Sequence, residues 1–243
     1  MTKEQIIEKL RDDDHYYGEF GRQFLSNSNI KQLLEDPLSF GKDTEKTVPM
    51  LAGGYFHTRI LEPDKLQKYK IVQASTRNTT TYKTITNGEL CLLEHEVDEL
   101  ELLTDTILEN NVCRNLIREG EVEYEVPNIV DLHGVTWKCK ADILNHSERL
   151  IVDLKTTSDI DKFRSSANTY NYDSQAYIYE QAFGYKFVFI VICKKSRRIG
   201  IFDCSDRFLQ SGQSKVIKAV DQYDLFFKTD DFDPKQYFIT ETL

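Results

Sequence analysis

The sequence has no hydrophobic run approaching the ~20 residues that a membrane-spanning helix needs, and no Cys-x-x-Cys pair anywhere. The first absence excludes a helical membrane protein, so no membrane partner is expected; the second excludes most cysteine-based zinc and dithiol chemistry. Five cysteines, Cys91, Cys113, Cys139, Cys193 and Cys204, are odd in number and scattered, which predicts reduced structural thiols. Only 11 Gly and 5 Pro, set against 12 % aromatic residues, exclude the composition of a disordered chain. There is no repeat and no low-complexity linker. Met1-Thr2-Lys3-Glu4-Gln5 opens an amphipathic helical pattern instead of a signal peptide, so a cytoplasmic location is expected. A chain of 243 residues buries roughly 70–75 % of its unfolded surface, and needs neither disulfide nor structural metal to fold.

Positive charge is also scarce, with a net charge of −9. Its distribution matters more than its sum. Glu94, Glu96, Asp98, Glu99, Glu101, Asp105 and Glu109 form a stretch without Lys or Arg, and the rest of the chain carries only −2. Lys65, Lys68 and Lys70, and Lys194, Lys195, Arg197 and Arg198, form local basic clusters that read either as a phosphate-contacting face or as solvated surface. Global acidity predicts weak binding to DNA outside a specific site.

Apolar spacing predicts a short helix over 2–14 and a second that is N-capped within 26–29 and stops before Pro37. A third starts at Thr47-Val48-Pro49, with Pro49 in its first turn, and ends at Pro63. Residues 69–86 are Thr-rich and poorly patterned, and read as irregular or edge strand. One long helix is expected over about 93–118, acidic at its start and basic at its end, as the helix dipole favours. Strands follow at 121–127, 134–144, 149–157, 186–194 and 198–204, with helices at 171–183 and 206–226. This order predicts an α/β domain with a mixed sheet flanked by helices and an N-terminal helical extension.

The chemistry concentrates in one hairpin, residues 137–157. Side chains two apart on a strand share a face, so Asp153 and Lys155 point the same way. A turn at 145–148 pairs Leu144 with Arg149 and Asp142 with Ile151. On that register Asp142 stands diagonally beside Asp153, about 7–8 Å away or somewhat less, and a one-residue slip would separate them. Two such carboxylates repel unless a cation lies between them, and hard oxygen donors select Mg²⁺ or Mn²⁺. An ordinary charged surface hairpin is the plain alternative.

Asp142 followed by Asp153-Leu154-Lys155 resembles the motif of the PD-(D/E)XK nuclease superfamily, whose core is the restriction-endonuclease-like fold. Gln175-Ala176-Tyr177-Ile178-Tyr179 is similar to the Gln-x-x-x-Tyr motif of its RecB-type branch, and Gly53-Gly54-Tyr55-Phe56-His57 to that branch's Gly-x-x-x-His. Phe24–Ser28, Asp36-Pro37, His57–Pro63, Ala74–Arg77, Gly120-x-x-Glu123 and Tyr170–Ala176 resemble successive blocks of the RecE-like (exonuclease VIII type) phage exonuclease domain, over about residues 20–195.

The resemblance implies His57, Asp142, Asp153 and the Leu154 carbonyl as metal ligands, with Lys155 beside the attacking water. It implies a catalytic acid at Glu123, which alternation along 121–126 reads equally as one of a polar strand face. Gln175, Tyr179, Ser26, Ser28 and Arg77 are expected to contact DNA or orient the site, although Tyr179 also suits helix packing. The resemblance further implies a Mg²⁺-dependent deoxyribonuclease, an exonuclease resecting ends in phage-type recombination or replication, inside the host cytoplasm. Alternatives are a structure-specific or single-strand nuclease of the same fold, and a catalytically silent DNA-binding accessory protein. Besides DNA, the partners it implies are a single-strand annealing protein and further copies of the chain. Some RecB-type relatives hold an iron–sulfur cluster on four cysteines; Cys193 and Cys204 do not supply that set, so no cluster is expected. The expected organisation is one nuclease domain over 1–243: a helical part to about 65, a catalytic core over about 90–205, and a helix and tail over 206–243.

Overall fold

A computed structural model describes residues 1–42 and 45–238; the last five residues of the expected tail lie outside the described residues. The chain begins with α1 (Lys3–Leu10), α2 (Asp13–Tyr17), α3 (Asn27–Glu35) and α4 (Val48–Leu61). Next come β1 (Ile71–Val72), α5 (Thr80–Thr86), β2 (Leu92–Leu93), α6 (Glu94–Glu109) and α7 (Asn111–Arg118). The second half runs β3 (Val122–Leu132), β4 (Val135–Asn145), β5 (Leu150–Thr157), α8 (Phe163–Thr169), α9 (Tyr172–Phe183), β6 (Lys186–Cys193), β7 (Ile199–Asp203) and α10 (Asp206–Phe227).

Strands β3-β4-β5-β6-β7 lie side by side in that order, antiparallel except for the parallel pair β5–β6, which α8 and α9 connect. The mixed α/β sheet flanked by helices is therefore as expected. One face buries Ile143, Val152, Leu154, Val188, Ile190 and Ile192 against α4, α6 and α7. The other buries Ile151, Phe187, Phe189 and Val191 against α8 and α9. A further cluster around Trp137, fully buried, joins α3, α9 and α10 to the far end of β3 and β4. No helix among the described residues is long and apolar enough to cross a membrane.

Four local expectations change. The helix expected over 2–14 is two, α1 and α2, because the Asp12 side chain caps α2 by accepting from His15 N at 3.1 Å. The Thr-rich stretch holds the short strand β1 but also a helix, α5, because the Thr79 hydroxyl caps it by accepting from Tyr82 N at 3.2 Å. The single helix over 93–118 is two, since Asn110 leaves helical geometry and its side chain caps α7 at Val112 N and Cys113 N. Helix α8 was not predicted; only Phe163 and Ala167 of it are buried, too few for a legible period.

Candidate active site

The site forms where β3, β4 and β5 lose regular pairing. His133 (φ 53°) and Gly134 (φ 79°) make a two-residue turn with both φ angles positive, the geometry that joins twisted hairpin strands without splaying them. It sets Leu132 opposite Val135, and Tyr124 opposite Ile143. Tyr124 and Ile143 pack on the α4 side of the sheet, yet the next pair, Val126 and Ala141, packs on the α9 side. Regular alternation would have kept these pairs on one face. The reversal falls on Glu125, a non-glycine residue at φ 50°, and on Asp142, which stands in line with it across the ladder.

The β4–β5 register differs from the predicted one: Asn145 pairs with Leu150, Leu144 with Ile151 and Ile143 with Val152, where pairing stops. The loop is 146–149, so Asp142 aligns with Asp153 and not with Ile151. This displacement is by two residues, which preserves faces, whereas one residue would have exchanged them. Where the ladder opens, the Asp142 carboxylate takes its place and accepts from Leu154 N at 3.0 Å.

Three more side chains complete the cluster. His57 Nδ1, from α4, is 3.1 Å from Asp142 Oδ2. Lys155 Nζ is 2.5 Å from Asp153 Oδ2 and 4.8 Å from the centre of the Tyr172 ring. Gln175 Nε2, from α9, donates to Asp153 Oδ1 at 2.7 Å. Burial raises the Asp142 carboxyl, but the charge and hydrogen bond of His57, with Lys155 and Leu154 N–H, bring it below its usual range. Asp153 goes the other way: burial exceeds what Lys155 returns, Asp142 adds repulsion, and its pKa is raised. For Lys155 burial opposes the charge, and the two aspartates outweigh it and hold the ammonium charged. Burial likewise disfavours charged His57, but the charge and hydrogen bond of Asp142 raise its pKa. Glu125 is pushed up to about 7 by burial first and by Asp142 second.

A cleft of about 650 Å³ opens over this cluster, walled by α2, α4, the start of α3 and α9, with Asp142 and Glu125 lining it. Asp153, 2 % exposed, lies behind that lining. Ser26 and Ser28 line the cleft with their hydroxyls 2.8 Å apart, and Tyr179 lines it while its hydroxyl donates to Lys140 O at 3.1 Å. Two expected residues are elsewhere. Glu123 pairs with His146 Nε2 at 2.9 Å and does not line the cleft; the acid in that place is Glu125. The His133-Gly134 turn is the signal that could have found it, because a two-residue hairpin there sets Glu125 against Asp142.

Arg77 is the second residue that stands outside the cleft. Its guanidinium grips both Glu96 oxygens at 2.7 and 2.6 Å and donates to Cys91 O at 3.0 Å, tying the segment before α5 to α6. Those bonds occupy its guanidinium within the protein, away from the cleft lining. Arg77→Ala is expected to lower stability by about 1.5–3 kcal/mol, the scale of hydrogen bonds to a charged partner, with the cleavage rate of the folded fraction unchanged. Thermal melting and initial rates on one DNA substrate check this; a loss of DNA affinity at unchanged stability would restore the original reading. Sequence reasoning also overlooked Lys138, Lys140, Asp13 and Tyr17, all of which line the cleft.

The donor set suits a hard divalent cation: carboxylates at Asp142, Asp153 and Glu125, an imidazole at His57, and a buried Asp153 oxygen, Oδ2, that meets only the Lys155 ammonium. Among the described residues no three such side chains already converge on one point. Asp142 is instead held by His57 and Asp153 by Lys155, so the acids are neutralised from within the protein.

A family model for a PDDEXK-like domain of unknown function (DUF3799) matches residues 27–236. The solved structure of a candidate exonuclease from Eubacterium rectale superposes with a TM-score of 0.65 at 16 % identity, over 96 % of this chain and 95 % of that one. A phage related exonuclease from Haemophilus somnus 129PT matches with a TM-score of 0.38 at 18 % identity, over 84 % and 95 %. Comparison with curated protein sequences gives no match.

Proposed function

We propose, for a chain that belongs to the PDDEXK-like domain family DUF3799, that it is a Mg²⁺-dependent deoxyribonuclease hydrolysing DNA from its ends. The observation that supports this reading is that His57, Asp142, Asp153, Lys155 and Gln175, drawn from α4, β4, β5 and α9, meet in paired contacts where the sheet's pairing opens under a cleft. A surface hairpin would leave these charges in water.

Each side chain then has a role. Asp142, Asp153, the Leu154 carbonyl and His57 hold the cation, and Glu125 supplies the further acid that was expected of Glu123. Bound there, Mg²⁺ or Mn²⁺ supplies the positive charge that stabilises a phosphate as its P–O bond breaks. Lys155, kept charged by its two aspartates, orients the attacking water or holds a phosphate oxygen. Gln175 fixes the Asp153 carboxylate, and Tyr179 fixes β4 at Lys140. Water adds to phosphorus, the bond to the 3′ oxygen breaks, and the products are a 5′-phosphate and a 3′-hydroxyl, with no covalent enzyme intermediate.

The name of the Eubacterium rectale protein supports action at ends, and the RecE-like blocks support a role in phage-type recombination. The chain then works as one nuclease domain, with a single-strand annealing protein and further copies of itself as partners. The test is a time course on end-labelled linear DNA and a covalently closed circle, with and without Mg²⁺. Linear DNA is expected to be degraded and the circle spared. Equal rates would make the protein an endonuclease on the same fold.

A further inference from the structure

Helix α2 lies outside residues 27–236 that match the family, yet it forms one wall of the cleft. It is held there from β4. Lys138 and Lys140, 7 % and 8 % exposed, place their ammonium groups 4.4 and 4.3 Å from the centre of the Tyr16 ring. Lys138 also donates to the Tyr16 carbonyl, and Lys140 pairs with Asp13 Oδ1 at 2.6 Å. Tyr16, 7 % exposed, is thus clamped between cations and backbone. Its neighbour is held more loosely, with Lys140 Nζ 5.3 Å from the centre of the Tyr17 ring. Tyr17 touches Tyr16 edge-on, with centroids 4.9 Å apart, and leaves 65 % of its surface exposed at the cleft. Burial first, and then the charges of Glu125, Asp13 and Asp142, raise the pKa of its hydroxyl, so the hydroxyl end sits down in the cleft beside those acids while the ring keeps its exposed face.

The α4 wall carries a gap between Met50 and His57. A Cβ added to Gly53 on α4 would meet nothing within 4 Å, so the helix offers the cleft only backbone there. The space between, about 650 Å³, is of the size that holds a drug-sized molecule, and so one or two nucleotides. A duplex, with a major groove alone about 12 Å wide, does not enter it. A nucleotide reaching the acids has left its stack, and a single strand supplies such a nucleotide without unpairing.

We infer that the cleft takes single-stranded DNA, and that Tyr17 is the platform on which the base of the nucleotide at the acids stacks. The inference rests on the nuclease reading above. An exposed ring adds nothing to the core, but it offers a flat face to any base, and such stacking is tolerant of sequence. Tyr17 acts as a positioning residue: it holds the base while Asp142 and its neighbours act on the phosphate.

The test uses the full chain with Tyr17→Ala, Tyr17→Phe and Tyr17→Trp. Binding of a fluorescein-labelled single strand is measured in Ca²⁺, and single-turnover cleavage in Mg²⁺, against a blunt hairpin duplex. Each is repeated with one abasic position moved along the strand. Tyr17→Ala is expected to bind the single strand roughly 5- to 150-fold more weakly and to melt like the wild type, while Phe and Trp retain binding. At one position the abasic substitution brings the wild type down to the Tyr17→Ala level and costs that variant nothing further. Cleavage of the blunt duplex as fast as the single strand, or the same abasic penalty with and without the Tyr17 ring, overturns this inference and leaves the nuclease reading standing. Failure to cleave any DNA form in Mg²⁺ or Mn²⁺ overturns both.

Discussion

Replacing Asp142 with Asn is expected to lower single-turnover cleavage by about 10²–10³-fold, the typical loss when one group stabilising transition-state charge is removed, with little change in melting. The asparagine oxygen can still accept from Leu154 N, so the point where β4 parts from β5 stays fastened. What disappears is the negative charge, which His57 now balances and which would help hold the cation. Lys155→Ala is expected to behave differently. Its partner Asp153 is 2 % exposed, and removing Lys155 leaves that carboxylate with Gln175 as its remaining hydrogen bond. Breaking a buried pair typically costs about 3–5 kcal/mol, or on the order of 10 °C for a chain of this size. Both variants should lose cleavage, but only Lys155→Ala should also lose this much stability. Cleavage at the wild-type rate by Asp142→Asn would remove the hairpin from the mechanism.

Chelation is the second large effect. Excess EDTA is expected to abolish cleavage; Mg²⁺ or Mn²⁺ should restore it, and Ca²⁺ should bind without restoring it. The physical ground is the mismatch between acids and bases in the cluster. His57 and Lys155 neutralise two carboxylates, while Glu125 is pushed up to about 7 by burial and by the charge of Asp142, which Lys140 and His57 only partly offset. A divalent cation relieves that repulsion, so it should also raise the melting temperature. A ligand at 100 times its Kd contributes about 2.7 kcal/mol, and Asp142→Asn should reduce the shift. Melting with and without Mg²⁺ separates binding from turnover. Cleavage undiminished in EDTA, with contaminating nucleases excluded, would remove the cation from the reaction.

Much of the architecture was legible because it depends on local chemistry. The cap at Thr47 with Pro49 and the alternating strands marked α4, β4 to β7, α9 and α10 with small errors at their ends, and β3 five residues short of its end. Asp142, Asp153 and Lys155 were legible as a set because their spacing spans one hairpin. The geometry uniting them was not. Alternation along a strand describes an ideal ladder, and this site sits where the ladder fails: at Glu125 with φ 50°, and where pairing ends at Ile143 and Val152. The choice of Glu125 over Glu123 turns on which of two alternate acids meets that reversal, a matter of register set at His133-Gly134.

The N-terminal wall shows the same division. The sequence by itself determined a helix over 2–14, which the structure splits into α1 and α2, and the strand β4 that carries Lys138 and Lys140. That Tyr16 fits between those lysines, about 120 residues away in the chain, while Tyr17 is left open over the acids, was decided only by tertiary packing. Local propensity reaches three or four residues along a chain. Which distant cation meets which ring depends on how whole layers dock, and the burial that docking creates is what shifts Asp153 and Glu125 from their usual pKa values.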